Sequence, residues 1–384
     1  MGALDGITVL DLSRILAGPW ASQLMADLGA NVIKIENPAH GDDTRQWGPP
    51  WTGPEGGESA YYLCANRGKR SIAIDLKSDQ GRAALINLAR KADVVLENFK
   101  AGTTGKLGID YETLSAANPR LVYCSITGFG QTGPYRDLPG YDFLVQAMGG
   151  LMSVTGERDD EPGAGPQKVG VALSDILTGL YASNGILAAL HERERSGKGQ
   201  YIDIALLDVT AACLANQAMN YLVGGMIPGR LGNAHPNIVP YQSFATADGH
   251  FILAVGNDQQ FSRLCEIVSK PELASDPRFV TNAQRVRNRE TLTEIFSGCF
   301  KTQKSAIWLS LCQANNVPAG PINSIDAVFS NEQIRAREMV IEMEHVEAGT
   351  LKLVGNPIKL SRTPVKYELP PPMLGEHTKT ILNE

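Results

Sequence analysis

Residues 7–36, ITVLDLSRILAGPWASQLMADLGANVIKIE, decide the fold. Residues 7–10 are a short apolar run, 19–28 repeat apolar residues at helical spacing, and 32–35 are apolar again. A strand, a helix and a second strand follow from those periods, with Pro19 near the helix start and Gly29 at its exit, where each residue is best tolerated. The alternation continues outward. Residues 72–76, 94–96, 121–126 and 201–204 read as strands, amphipathic 80–91 as a helix, and 169–195 as a long helix. Short apolar strands alternating with helices predict an α/β fold with a doubly wound parallel sheet covered on both faces.

The texture changes after residue 223. Residues 224–240 hold four glycines and three prolines and read as a linker. A strand at 250–255 and helices at 258–268, 285–300 and 304–315 suit a smaller α+β domain that ends near VPAGP at 317–321. Short strands near 341–345 and 351–354 and the proline run Pro370 to Pro372 come after it. The domain reading is therefore 1–223, 224–327 and 328–384.

Composition narrows the function classes. The 384 residues carry 35 Lys and Arg against 41 Asp and Glu, a net charge of −6, which leaves no general field for collecting nucleic acid or an anionic membrane. Any anionic ligand needs a local basic pocket. The six cysteines include no CxxC pair and the six histidines no HxxxH or His/Cys cluster, so the sequence offers no metal site. Reduced cysteines and the lack of a basic-then-apolar leader point to a cytoplasmic protein. The longest uncharged window, 209–229, contains Asn216, Gln217, Asn220, Gly224, Gly225 and Pro228, unlike a membrane span, and reads as a buried helix with its exit loop.

GFGQTG at 128–133 satisfies G-x-G-x-x-G after a strand, but Pro134, Pro139 and Gly140 interrupt the next residues, so no helix opens there to face a pyrophosphate. It reads as a structural or substrate-facing loop, not a dinucleotide site. Asp175 is the only charged residue in VGVALSDILTGLYASNGILAAL, 169–190. A carboxylate in such company is costly unless paired, protonated or functional. Helical spacing sets it beside Thr178, Gly179 and Ala182, small residues that would leave room for a ligand. Two readings stay open: a helix-start cap favoured by the macrodipole, or a catalytic group. Basic residues cluster at turns: Arg14, Arg45, Arg67, Lys69, Arg70 and Lys106. Trp47 and Trp51, among Gly and Pro, are candidates to wall a pocket or merely pack a loop.

As a set, VLDLSRILAGP, LGANVIKIE, GDDTRQWGPP, NRGKRSIAIDLK, ADVVLENF, YCSITGFGQTGP, GYD, LSDILTGLYA and MLGEHT span nearly the whole chain. In order and spacing they closely resemble the class III CoA-transferases, the formyl-CoA/carnitine CoA-transferase type. AGPW, HPNIVPYQSF and GNDQQF carry the likeness further, toward the branch that exchanges CoA between succinyl-CoA and glutarate. The Gly-rich substrate loop of the formyl-CoA enzymes is absent, and Leu16 stands where they place Gln, which argues against formate or oxalate.

The resemblance implies a Rossmann-like large domain built from both chain ends, a smaller domain between them, and an interlocked homodimer. It gives Asp175 the role of nucleophile, through an aspartyl anhydride and an aspartyl-CoA thioester. No prosthetic group is called for, coenzyme A entering as part of the substrate. The family's CoA contacts fall on Leu16, Ala17, Asn37, Ile74, Asp75, Leu76, Lys77, Asn98, Phe99, Lys100, Lys106, Pro139, Gly140, Tyr141 and Asp142. Lys106 replaces an Arg and Asn37 a basic residue of the formyl-CoA type, so Lys106 keeps a charge without bidentate geometry. Arg14, and Arg45 beside Trp47, are the candidates to pair an acceptor's second carboxylate. The alternatives are an acyl-CoA racemase of the same family, acting by proton transfer, and a non-catalytic CoA-binding protein.

Overall fold

Six parallel strands form one sheet: β1 (Thr8–Asp11), β2 (Asn31–Glu36), β3 (Lys69–Ala73), β4 (Val94–Glu97), β5 (Val122–Thr127) and β6 (Tyr201–Ala205), in the order β3–β2–β1–β4–β5–β6. This computed structural model describes residues 1–53 and 56–383. Apolar side chains are buried on both faces of the sheet, as parallel strands require. One layer joins Val9, Val32, Val94, Leu96 and Cys124 to Ala17, Ala21, Met25, Ala182 and Ile186 of the helices Ala17–Asp27 and Leu173–Ser196. The other joins Leu10, Ile33, Ile72, Val95 and Tyr123 to Leu85, Ala89 and Leu114. The chain reverses its direction of winding between β1 and β4, so the loops after these two strands part and leave a crevice at their carboxyl ends.

The chain divides into two units: residues 1–151, 169–214 and 332–384, and residues 152–168 and 215–331. Both chain ends thus lie in the sheet-bearing unit. The other unit has a three-stranded antiparallel sheet, β7 (Tyr241–Ala245), β8 (His250–Ala254) and β9 (Ala319–Pro321), around Phe251, Phe261, Phe296, Phe300 and Trp308. The C-terminal part of the sheet-bearing unit contributes the antiparallel pair β10 (Val340–His345) and β11 (Gly349–Val354), and its last helix, Thr378–Asn383, buries Ile381 in the second layer.

Several boundaries differ from the sequence reading, each for a local reason. The unit borders fall at 214/215 and 331/332 instead of 223/224 and 327/328. Residues 152–168 join the second unit because Arg230 reaches the Glu157 carbonyl and Arg158 pairs with Glu290, ties that no hydrophobic period announces. Strand β3 begins at Lys69, three residues before the apolar run, because Lys69 is buried on Asp11, Asn66 and the Pro19 carbonyl. The long helix starts at Leu173, not 169. The uncharged window is two helices, Leu206–Ala212 and Ala215–Leu222, broken where Ala215 takes φ 45°. Its second half is not buried: Leu222 is 71% exposed and Ile227 86%.

Candidate functional site

The crevice is shaped by the turn after β1. Ile15 lies at φ 71°, a left-handed conformation that a β-branched residue adopts only where its surroundings enforce it. Lys34 Nζ donates to the Ser13 carbonyl at 2.9 Å and Asp42 Oδ1 accepts the Ile15 N–H at 3.2 Å. Asn98, just past β4, accepts the Arg14 N–H at 2.9 Å and returns its Nδ2 to the Arg14 carbonyl at 2.7 Å. The turn delivers Leu16 and Ala17 to the start of the Ala17–Asp27 helix.

Across the crevice, Gly128 at the end of β5 lies against Gly140; a Cβ on Gly128 would stand 2.4 Å from the Gly140 Cα. Glycine at both positions lets the two backbone segments touch, which carries Pro139, Gly140, Tyr141 and Asp142 to the strand ends. Asp142 then starts the helix Asp142–Met148 and organises the next one. Its Oδ1 accepts the N–H of Ser174 at 2.8 Å and of Asp175 at 3.3 Å, while its Oδ2 takes Gln146 Nε2 at 2.7 Å. The free N–H groups at the start of Leu173–Ser196 are therefore capped by Asp142, and Asp175 is not spent as the cap.

Asp175 is partly buried. Burial, and then the charge of Asp142, push its carboxyl up to about 7, and among the described residues no cation pairs with it. A carboxylate of raised pKa that still ionises at neutral pH is a stronger base and nucleophile than a solvated one. The room expected beside Thr178, Gly179 and Ala182 is absent. That face packs against the Ala17–Asp27 helix, and a Cβ on Gly179 would meet the Ala17 carbonyl at 2.6 Å.

A cleft of about 220 Å³ brings together Asp175, Leu16, Ala17, Asn98, Phe99, Lys100, Pro139, Gly140, Tyr141, Asp142 and Arg14. A second cavity of about 300 Å³ adjoins it, the two sharing Arg14 and Phe99, and is lined by Asn37, Ile74, Asp75, Leu76 and Lys77. Lys106 lines neither. It is exposed on the short helix Thr103–Leu107, whose Thr103 and Leu107 do line the second cavity.

Two substrate candidates fall elsewhere. Arg45 is committed to a buried network, donating to Glu36, Glu58, Tyr62 Oη and the Pro372 carbonyl, and it lines neither cavity. Its guanidinium has no donor left for a ligand. Trp47 also lies outside the cavities, but it packs edge-on against Tyr61, with ring centroids 5.2 Å apart. Tyr61 neighbours Asp175: burial and then the Asp175 charge push its phenol up to about 12. Tyr61 and Arg136, which lines the cleft from the loop before Pro139, escaped the sequence reading. Arg136 sits in an irregular loop without a pattern, and Tyr61 is one aromatic among several. Arg14, the remaining candidate, lines both cavities and pairs with Asp43 at 2.7 Å.

Known proteins resemble this chain over almost its whole length. The chain is 53% identical over 384 residues to the succinate–glutarate CoA-transferase of Agrobacterium fabrum, covering 99% of this chain and 95% of that protein. It is 44% identical to the succinyl-CoA:glutarate CoA-transferase of Mus musculus, covering all of this chain and 86% of that one. A crystal structure of a CAIB/BAIF family protein from Brucella suis superposes with a TM-score of 0.86 at 50% identity over 99% of both chains. With the model of CoA-transferase family III matching residues 4–378, the chain belongs to that family.

Proposed function

We propose that this CoA-transferase moves CoA from succinyl-CoA to glutarate or a similar short dicarboxylic acid, with Asp175 as covalent nucleophile. The observation that carries the reading is the unpaired, partly buried Asp175 carboxylate, raised to about 7, lining a cleft at the strand ends. Its ionised form attacks the thioester carbonyl, the C–S bond breaks, and CoA leaves as thiolate, giving a mixed succinyl–aspartyl anhydride. The thiolate attacks the aspartyl carbonyl and succinate departs, leaving an aspartyl-CoA thioester. Glutarate repeats these steps in reverse and leaves as glutaryl-CoA, with the aspartate restored. Every step exchanges one activated acyl group for another, so the route calls on no prosthetic group. A partly closed cleft protects the anhydride from water.

The adjoining cavities suit an elongated ester that passes Phe99, with Lys77, Lys100 and Lys106 near its phosphates. Arg14, Lys100 and Arg136 are the cations available to a second carboxylate within the cleft. The names of the relatives support the succinate–glutarate pair. Exposed Tyr141, Phe143, Leu144 and Met148 support a homodimer that covers them.

The test is incubation with succinyl-CoA and a panel of acids, with mass detection of new CoA esters. Glutaryl-CoA should form readily and butyryl-CoA slowly, because a charged tail needs a cation that an alkyl tail does not. Equal use of butyrate and glutarate would overturn the dicarboxylate reading. Failure of any ester to form would overturn the transferase mechanism.

A further inference from the structure

Glu97 closes β4, and its register neighbour on β5 is Ser125, whose own neighbour on β6 is Asp203. The three form a polar row across the carboxyl ends of three adjacent strands. Glu97 is 2% exposed, and no cation among the described residues balances it. A buried carboxylate without a counter-ion is expensive to keep, and the transferase chemistry proposed above does not use it.

Its hydrogen bonds show what it holds. Glu97 accepts the Phe99 N–H at 2.7 Å and is hydrogen-bonded by the Ser125 side chain. Ser125 Oγ in turn accepts Gln131 Nε2 at 2.9 Å, and the Gln131 N–H donates to Asp203 at 2.9 Å. One carboxylate thus ties the Asn98–Lys100 turn to the loop that follows β5. Phe99 lines both cavities, and Asn98 clamps the Arg14 backbone, so the walls of the crevice converge on this group.

We propose that Glu97 is a positioning residue for the CoA ester: its carboxylate fixes the Asn98–Lys100 turn, and protonation of that carboxylate releases the turn and weakens ester binding. The inference rests on the reading that the cleft takes a CoA ester. Burial, helped by Asp203, pushes the Glu97 carboxyl up to about 7 against the opposing hydrogen bonds from Ser125 and Phe99. The other groups facing it are Tyr123 and Cys124 on β5 and Tyr201 and Asp203 on β6. Burial moves the two phenols and the thiol above their ordinary values, so they stay neutral around pH 7.

The experiment is calorimetric binding of succinyl-CoA from about pH 6 to about pH 8 in an Asp175→Asn background, where the nucleophile neither titrates nor reacts. Affinity in this parent should rise with pH. Glu97→Gln should bind roughly five- to tenfold more weakly at the upper end, the loss of one good acceptor, and lose that part of the pH dependence. Ser125→Ala, which removes a donor favouring the charged form, should move the midpoint to higher pH. A residue that only supports the fold would change stability or affinity without touching the midpoint. The same pH dependence in Glu97→Gln as in the parent would overturn the proposal, and so would an unmoved midpoint in Ser125→Ala. Ser125→Ala decides alone if Glu97→Gln does not fold. Absence of binding in the parent at every pH would instead overturn the functional reading on which the proposal rests.

Discussion

Two groups of carboxylates flank the end of β1, and their surroundings are opposite. Asp11 and Asp42 lie among Lys69 and Lys34, all four buried, and Glu36 is held by Arg45. Burial alone would raise these acids, yet the adjacent cations and hydroxyls hold all three below their ordinary values, Asp42 at about 2. Asp175, partly buried, has an anion, Asp142, for company instead, and rises to about 7. The residue type is shared, and the nearest charge decides which way the carboxyl moves. The paired group fixes the Ser13–Ile15 backbone through Lys34 and Asp42, so it shapes one wall of the cleft that Asp175 lines.

The widest separation between the groups should appear on removing the acid. Asp175→Asn should lower kcat by about 10³-fold or more while the chain stays folded, measured by ester formation and thermal melting. Asp11→Asn should do the reverse and destabilise the fold by about 3 kcal/mol, because it leaves Lys69 buried without its counter-ion; denaturant unfolding reads this. Near-normal stability in Asp11→Asn would erase the distinction between bracing and reactive acids.

The pH dependence of stability should differ in sign. Asp42 has a depressed folded value, so its contribution is complete above about pH 4, the unfolded carboxyl range, and is lost as pH falls toward 2. Asp175 has a raised folded value, so stability is lost as pH rises from about 4 to about 7. Asp175→Asn should therefore melt higher than the parent above pH 7 and at the same temperature below about pH 4. Melting curves at both pH values check it, and a lower melting temperature above neutrality would contradict it.

Smaller effects sharpen the contrast. Asp142→Asn keeps an oxygen for the Ser174 and Asp175 N–H groups but removes the like charge, so the acid limb of the kcat profile should move to lower pH. Lys106→Glu should raise KM for the CoA ester a few-fold and leave KM for the free acid alone, since an exposed charge acts weakly at a distance.

The features legible in the sequence are those that are local in the chain. The strand–helix–strand opening and the lone charge at Asp175 are periodic or compositional signals within about 30 residues, where such signals are strong. The features that escaped are set by partners distant in sequence. Arg45 resembles a free cation until Glu36, Glu58, Tyr62 and the Pro372 carbonyl take its donors. Lys69 hid the start of β3 because its counter-ion, Asp11, lies on another strand. The small residues after Asp175 promised space for a ligand but are small because a second helix presses on them. The apolar window after residue 209 promised a buried helix, yet half of it faces outward. Periodicity reports that a face is apolar without saying what covers it.

The central claim is that Asp175, which lines the cleft and has no cation beside it among the described residues, becomes covalently acylated. Wild-type protein mixed with succinyl-CoA and quenched with hydroxylamine tests this most directly, by mass analysis of the peptide that contains Asp175. The account predicts a hydroxamate on Asp175, formed only when the ester is present, and none on Asp11, Asp42 or Asp142. Sustained CoA transfer with no modification at Asp175, or modification of a different carboxylate, would contradict it.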